Sequence, residues 1–209
     1  MKKTIWIASV CFLFIASIGF FAFRTAEHGY KVGDIAKDFE LKNIDGTTLS
    51  MGQIKYSSMK GFIVVFTCNH CPFSQKYESR IIELNKKYEP LGYPVIAINP
   101  NDAEREPEDS FENMKTRAKE KGFNFPYLVD ESQQIAYAYG AQKTPHVYVL
   151  KKESGKLKVA YIGAIDDNVK NAAEVKEKYV EMAVDELLAG KSVTKSSTKA
   201  IGCTIKWKQ

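Results

Sequence analysis

The longest uninterrupted apolar segment outside the first residues, Gly61-Phe-Ile-Val-Val-Phe-Thr67, is β-branched and aromatic and too short for a helix, which predicts a buried central strand. Directly after it the pattern changes period. Phe73, Tyr77, Ile81, Leu84 and Tyr88 follow one another at spacings of 4, 4, 3 and 4, one face of an amphipathic helix that opens on Pro72 and is closed by Pro90 and Gly92. Tyr93–Asn99 repeats the buried-strand pattern. Phe111, Met114 and Ala118 mark a second helix ended by Gly122. Pro126–Asp130 and His146–Leu150 read as strands on either side of a short helix around Gln133–Tyr139 and a loop Gly140–Pro145.

Upstream, Phe39 and Leu41 share an alternating face and lead to a turn at Asp45-Gly46, predicting a short N-terminal hairpin with Thr47, Thr48 and Leu49. Downstream, Lys156–Ile165 follows a Ser154-Gly155 turn and pairs as a hairpin with the strand before it. A last helix is expected from about Ala172 to Leu188, with Val175, Tyr179, Met182, Ala183 and Leu187 on its apolar side. Residues 191–209 start as a polar linker and end Gly202-Cys-Thr-Ile-Lys-Trp207. Strands alternating with helices, then a hairpin and a helix, predict an α/β fold with a central mixed sheet flanked by helices on both faces and an N-terminal β-hairpin extension.

At 209 residues, with 13 Gly, 7 Pro and 4 Cys, the composition is that of one globular domain able to fold without disulfide staples. Ile5–Phe23 is a 19-residue run without a charge, preceded by Lys2-Lys3 and closed by Arg24. It reads as a signal peptide or an N-terminal membrane anchor over residues 1–24, placing a domain at 25–190 and a tail at 191–209 in the cell envelope, outside the cytoplasm (periplasmic, secreted or anchored). Cys11 lies inside that run as apolar filler. Setting aside Lys2, Lys3 and Arg24 lowers the net charge from +5 to +2, an interspersed excess that gives no footprint for nucleic acid.

The chemistry concentrates in Cys68-Asn69-His70-Cys71, a C-x-x-C where a buried strand becomes a helix. A thiol at a helix N-terminus is expected to fall below the ordinary value near 8.5, which nominates Cys68 as nucleophile. Cys71 is then positioned to resolve a mixed disulfide, and His70 to stabilise the Cys68 thiolate by charge or hydrogen bonding. That arrangement predicts a couple more oxidising than one flanked by neutral residues, and a potential as low as about −270 mV, the thioredoxin reference value, would count against it. An inert structural disulfide and half of a metal site are the competing readings. A second C-x-x-C or an H-x3–5-H is missing, and Cys71, His70 and Cys203 come together as ligands only if the tail folds back.

These residues, with the phrases FTCNHCPFS, AINPNDA, PEDSFENMK and FPYLVDESQ, resemble the thioredoxin superfamily over about residues 30–190. They are similar in particular to its membrane-tethered branch and to redoxins with alkyl hydroperoxide reductase/thiol-specific antioxidant domains, including a peroxiredoxin-like subgroup with the same Gly-Cys-x-Ile-Lys-Trp tail. The resemblance implies a thioredoxin-like fold, Thr144-Pro145 as a cis-proline loop and substrate contact through Thr144, Pro145 and Asn69. It implies an extracytoplasmic thiol-disulfide oxidoreductase that needs no cofactor and no metal. Its partners would be protein disulfides and thiols and a membrane or thioredoxin-like redox protein.

Two departures stand out. Thioredoxins keep a buried acid six residues before the first cysteine, where this chain has Phe62, and relatives often have Cys at the position of Lys143. A thiol peroxidase is the alternative within the same chemistry, although Gly61 stands where P-x-x-x-[ST]-x-x-C requires proline and the hydroxyl residue, Thr67, is adjacent to Cys68. A metal- or haem-handling carrier is the alternative outside it. Cys203 is read as a small buried side chain in preference to a regulatory thiol or an intermolecular linker, and Glu104–Asp109 as a solvated loop and helix start. His146 is placed equally well at the site or in a packed strand.

Overall fold

The computed structural model describes residues 29–54 and 59–209. The segment 1–24, with Cys11, and also His28, lie outside the described residues. Among the described residues no helix is long and apolar enough to cross a membrane.

Seven strands form one mixed sheet in the order β2-β1-β5-β4-β3-β7-β8, where β1 is Leu41–Asn43, β2 Thr48–Leu49, β3 Gly61–Phe66, β4 Val95–Asn99, β5 Tyr127–Val129, β7 His146–Glu153 and β8 Lys156–Gly163. The central strands β3, β4 and β5 run parallel, while β7 and β8 continue the sheet antiparallel on one side. The expected hairpin is present and continues the same sheet: β1 pairs antiparallel with β5, and Asp45 accepts the Thr47 amide at 2.8 Å to fix the turn.

Because successive side chains leave a strand on opposite faces, the all-apolar β3 supplies two cores at once. Ile63 and Val65 pack under the helices α1 (Pro72–Tyr88), α2 (Phe111–Lys121) and α4 (Tyr179–Leu188), against Tyr77, Ile81, Leu84, Met114, Val180 and Val184. Phe62, Val64 and Phe66 face the opposite side, covered by the short helix α3 (Gln134–Tyr139), the N-terminal segment at Ala36 and Phe39, and Ile205 from the tail. There Phe66, Tyr139 and Tyr148 meet edge to face with ring centres 5.2–5.7 Å apart. Helices on both faces of a mixed sheet are the architecture expected for a thioredoxin-like fold.

Two expectations are corrected. The last helix begins seven residues late: Ala172–Glu174 is a single 3-10 turn capped by Asn171, Val175 is extended, and Lys176 and Glu177 bond back to Asp167 before α4 starts at Tyr179. The buried face is therefore Val180, Ala183, Val184 and Leu187, and Met182 points outward at 39% exposure. The tail is the second correction. Its polar first part is bound to β8, since Thr198 joins Tyr161 through the side-chain hydroxyls at 2.6 Å and accepts the Ala164 amide. Its end forms a strand β9, Cys203–Thr204, antiparallel to β6, Lys143–Thr144, in the stretch read as a loop.

Gly61 opens β3 where a Cβ would stand 2.0 Å from the Leu150 carbonyl oxygen and 2.3 Å from the Tyr93 ring. Neither strand can retreat without breaking the β3–β7 ladder. Gly61→Ala is expected to lower the unfolding free energy by about 1–3 kcal/mol, read from denaturant midpoints at unchanged slope; an unchanged midpoint would show that the junction is looser than this packing.

Candidate active site

β3 ends in the sheet's middle and passes the chain through Thr67 to Cys68, so the first cysteine leaves a rigid, fully buried strand. The helix starts only at Pro72, with Cys71 as the residue before it. Cys68 is thus four residues ahead of the helix and 3% exposed, and Cys71 is completely buried. The Cys68 thiol donates to Thr144 Oγ1 at 3.2 Å and lies 3.8 Å from Ser74 Oγ. Cys71 Sγ lies 3.2 Å from the carbonyl oxygen of the same threonine. Thr144 is fully buried and the Thr144-Pro145 peptide is cis.

The expected fall in the Cys68 pKa is not what the surroundings produce. Burial pushes the thiol up, to about 11, with the Asp109 carboxylate adding to the rise. The Thr144 hydroxyl, the Cys71 amide and Ser74 oppose this without reversing it. A cysteine four residues ahead of a helix and cut off from water is dominated by desolvation.

Asp109 is the residue that local sequence reading missed. Placed among solvated acids, it is in fact 1% exposed and accepts four bonds: Oδ1 from the amides of Asn69 at 2.6 Å and His70 at 3.2 Å, Oδ2 from Asn101 Nδ2 at 2.7 Å and paired with His70 Nδ1 at 2.6 Å. Its partners in the C-N-H-C loop lie about forty residues upstream, so no short-range pattern marks it. It also supplies a buried acid beside Cys68 from a different element, where Phe62 occupies the expected position in the apolar core.

The other nominated residues are accounted for as follows. Both ring nitrogens of His70 face carboxylates, Nδ1 on Asp109 and Nε2 3.5 Å from Glu106, and no hydrogen bond joins the ring to Cys68 among the described residues. Of the two routes expected for His70, the hydrogen bond to Cys68 is absent, while the ring stays within 4.8 Å of the sulfur. Asn69 is tied into the loop: Nδ2 donates to the Glu108 carbonyl at 2.9 Å and Oδ1 accepts from Tyr127 at 3.0 Å. His146 is a packed strand residue, its ring 4.9 Å from that of Tyr148.

Cys203 is not an unpaired small side chain. The folded-back tail brings it to Cys71, with which it forms a disulfide across a Cα separation of 6.1 Å, leaving Cys68 as the free thiol of the described residues. Cys68, His70 and Asp109 also bring potential ligand atoms within 4.8 Å of one another. Both oxygens of Asp109 are already engaged twice each, so the cluster is a hydrogen-bond network in place of a preformed cation cage.

Residues 32–172, which include the C-x-x-C between a central strand and a long helix and the cis-proline beside it, match the AhpC/TSA family. The chain belongs to that family. As a redoxin of the thioredoxin superfamily it is similar to the thiol-disulfide oxidoreductase ResA of Halalkalibacterium halodurans, at 25% identity over 150 residues covering 72% of this chain and 77% of the relative. Among solved structures, an uncharacterized conserved protein of Geobacillus kaustophilus shares 40% identity with a TM-score of 0.78, over 86% of this chain and 93% of that one. A hypothetical protein of Sinorhizobium meliloti 1021 shares 32% with the same TM-score, over 86% and 96%. The family match stops before the tail, so Cys203 lies beyond it.

Two outcomes are expected from these environments. With Cys71 and Cys203 bonded, Asp109→Asn removes a negative charge beside the thiol and lowers the Cys68 pKa, so Cys68 alkylation by iodoacetamide at pH 8 accelerates; an unchanged rate would place the carboxylate's charge outside the thiol's reach. Burial also lowers the His146 pKa from 6.5 to about 4. The unfolded imidazole takes up its proton first as pH falls, so the stability present above about pH 6.5 is lost as pH falls towards 4, by on the order of 3 kcal/mol at most. His146→Phe should flatten that part of the stability profile relative to the parent, measured by denaturation at a series of pH values.

Proposed function

We propose that this redoxin is an extracytoplasmic thiol-disulfide oxidoreductase acting on protein thiols and disulfides through Cys68 and Cys71. The observation that carries the reading is the gathering of both sulfurs on Thr144, each 3.2 Å from one of its oxygens, beside the cis-proline. The ResA relatives, named thiol-disulfide oxidoreductases, support the same activity. The uncharged segment between Lys3 and Arg24 supports placement in the envelope, by export or by anchoring.

In the reductive direction the Cys68 thiolate attacks one sulfur of a substrate disulfide, forming a mixed disulfide and releasing the other substrate sulfur as a thiolate. Cys71 then attacks Cys68 Sγ. The second substrate sulfur leaves, and a Cys68–Cys71 disulfide remains. The Thr144 hydroxyl accepts from the protonated thiol and, by rotating, donates to the thiolate, so one side chain serves both states. Asp109 is the positioning residue, because it holds the amides of Asn69 and His70 and so fixes the path between the two cysteines. Which way electrons flow follows from the couple's potential against that of the compartment. Protein substrates meet the chain at the Thr144-Pro145 edge, and a membrane or thioredoxin-like partner returns it to its starting state.

The full chain in detergent is expected to catalyse insulin disulfide reduction by dithiothreitol, with Cys68→Ser at background and Cys71→Ser accumulating a mixed disulfide at Cys68 that thiol-trapping mass spectrometry detects. Turnover of hydrogen peroxide with no effect on insulin would replace this reading by a peroxidase; activity that survives Cys68→Ser would remove the proposed nucleophile.

A further inference from the structure

Cys203 enters the site from outside the region that matches the family, and it is bonded to the cysteine expected to resolve. We infer that Cys203 is a third redox thiol, which takes the disulfide over from the Cys68–Cys71 pair and carries it outward to where an external dithiol reaches it. This rests on the dithiol reading above and adds the element that reading lacks, a route for recycling a site whose two cysteines are both buried.

Three features support it. The first is docking specificity. Gly202 lies so close to the cis-proline peptide that a Cβ would stand 2.2 Å from the Thr144 carbonyl oxygen, and Cys203 pairs in register with Thr144. Beyond it, Ile205 is buried in the core below α3, the Lys206 carbonyl accepts from the Asp102 amide at 2.9 Å and from Gln133 Nε2 at 2.8 Å, and Arg105 donates to the Trp207 carbonyl at 2.7 Å. The tail is therefore held in place by its own packing and hydrogen bonds, and does not depend on a covalent staple for its position.

The second is that Cys71 is common to two partners. Its sulfur is bonded to Cys203 and lies 3.2 Å from the carbonyl oxygen of Thr144, the residue whose hydroxyl meets the Cys68 thiol, so exchange is a change of partner at one sulfur. The third is a gradient of access: Cys71 is fully buried, Cys68 3% exposed and Cys203 half-buried. Of the three, the tail cysteine is the most exposed while the Cys71–Cys203 bond is closed.

The step conserves the disulfide. The Cys203 thiolate attacks Cys71 Sγ of the Cys68–Cys71 disulfide; the Cys71–Cys203 bond forms, the Cys68–Cys71 bond breaks, and Cys68 leaves as a thiolate that takes up the proton Cys203 gave up. An external dithiol then reduces Cys71–Cys203, its two electrons and two protons ending on those thiols while the reductant becomes a disulfide. The disulfide arrangement in this structure, a free Cys68 beside Cys71–Cys203, is the state after transfer.

The test is a time course on the reduced full chain in detergent, given one equivalent of 4,4′-dithiodipyridine, quenched in acid, alkylated and mapped by mass spectrometry, which keeps Cys11 separate from the other cysteines. Cys68–Cys71 is expected first, replaced by Cys71–Cys203 as Cys68 again becomes alkylatable, and native dithiothreitol should reopen Cys71–Cys203 as fast in Cys68→Ser as in the parent. Cys203→Ser should stop at Cys68–Cys71. A parent in which Cys203 stays alkylatable while Cys68–Cys71 cycles overturns this inference alone, as does a Cys71–Cys203 bond that native dithiothreitol leaves closed. If Cys68–Cys71 forms neither transiently in the parent nor in Cys203→Ser, the dithiol reading falls and this one with it. The parent time course needs no substitution, so a misfolded variant does not leave the question open.

Discussion

The carboxylate of Asp109 is the constraint on which the site's geometry depends. It is enclosed, and its two oxygens collect four bonds from the C-N-H-C loop and from Asn101. A charge in such a place is tolerable only when its oxygens are satisfied, which here means that the loop carrying Asn69 and His70 cannot move independently of the loop at 99–109. Those two segments leave neighbouring parallel strands, β3 and β4, and the anion ties their ends together. Asn69 repeats the arrangement, linking Glu108 to Tyr127. The residues between the cysteines therefore shape the active loop through bonds to buried groups of two other segments.

Thr144 performs the corresponding role on the other side. One buried residue presents a hydroxyl to Cys68 and a carbonyl oxygen to Cys71, and its strand register pairs with Cys203. A loop that in the sequence is only Gln-Lys-Thr-Pro becomes a meeting point of strand end, helix start and C-terminal tail. The cis peptide directs the chain into β7, whose His146 and Tyr148 carry it back across the sheet beside β3.

What could be read in advance divides along the range of the interactions. β3, α1 and the hairpin turn at Asp45 follow from local periodicity and turn chemistry, and they came out where the pattern put them, because a strand apolar at every position has no alternative but the middle of a sheet. The start of α4 did not, since the run from Ala172 is helical by composition while Asp167 takes the backbone of residues 176 and 177 into a competing set of bonds. Asp109 and Cys203 are invisible for a stronger form of the same reason. Their partners are 39–40 and 132 residues away, and nothing in P-E-D-S or in G-C-T-I distinguishes a buried clasp or a bonded thiol from surface residues of the same kind.

The cysteine pKa shows how burial and mechanism are connected. Burial pushes the Cys68 thiol up to about 11, so beside a closed Cys71–Cys203 bond it stays protonated at neutral pH and is a poor nucleophile. That is what a state already holding its oxidising equivalent elsewhere requires, because an ionised Cys68 would attack Cys71 Sγ and draw the disulfide back into the pair. The strand that carries Cys203 lies against Thr144, the residue whose hydroxyl meets the Cys68 thiol. The position of the tail and the surroundings of the Cys68 thiol thus meet at one buried residue, Thr144.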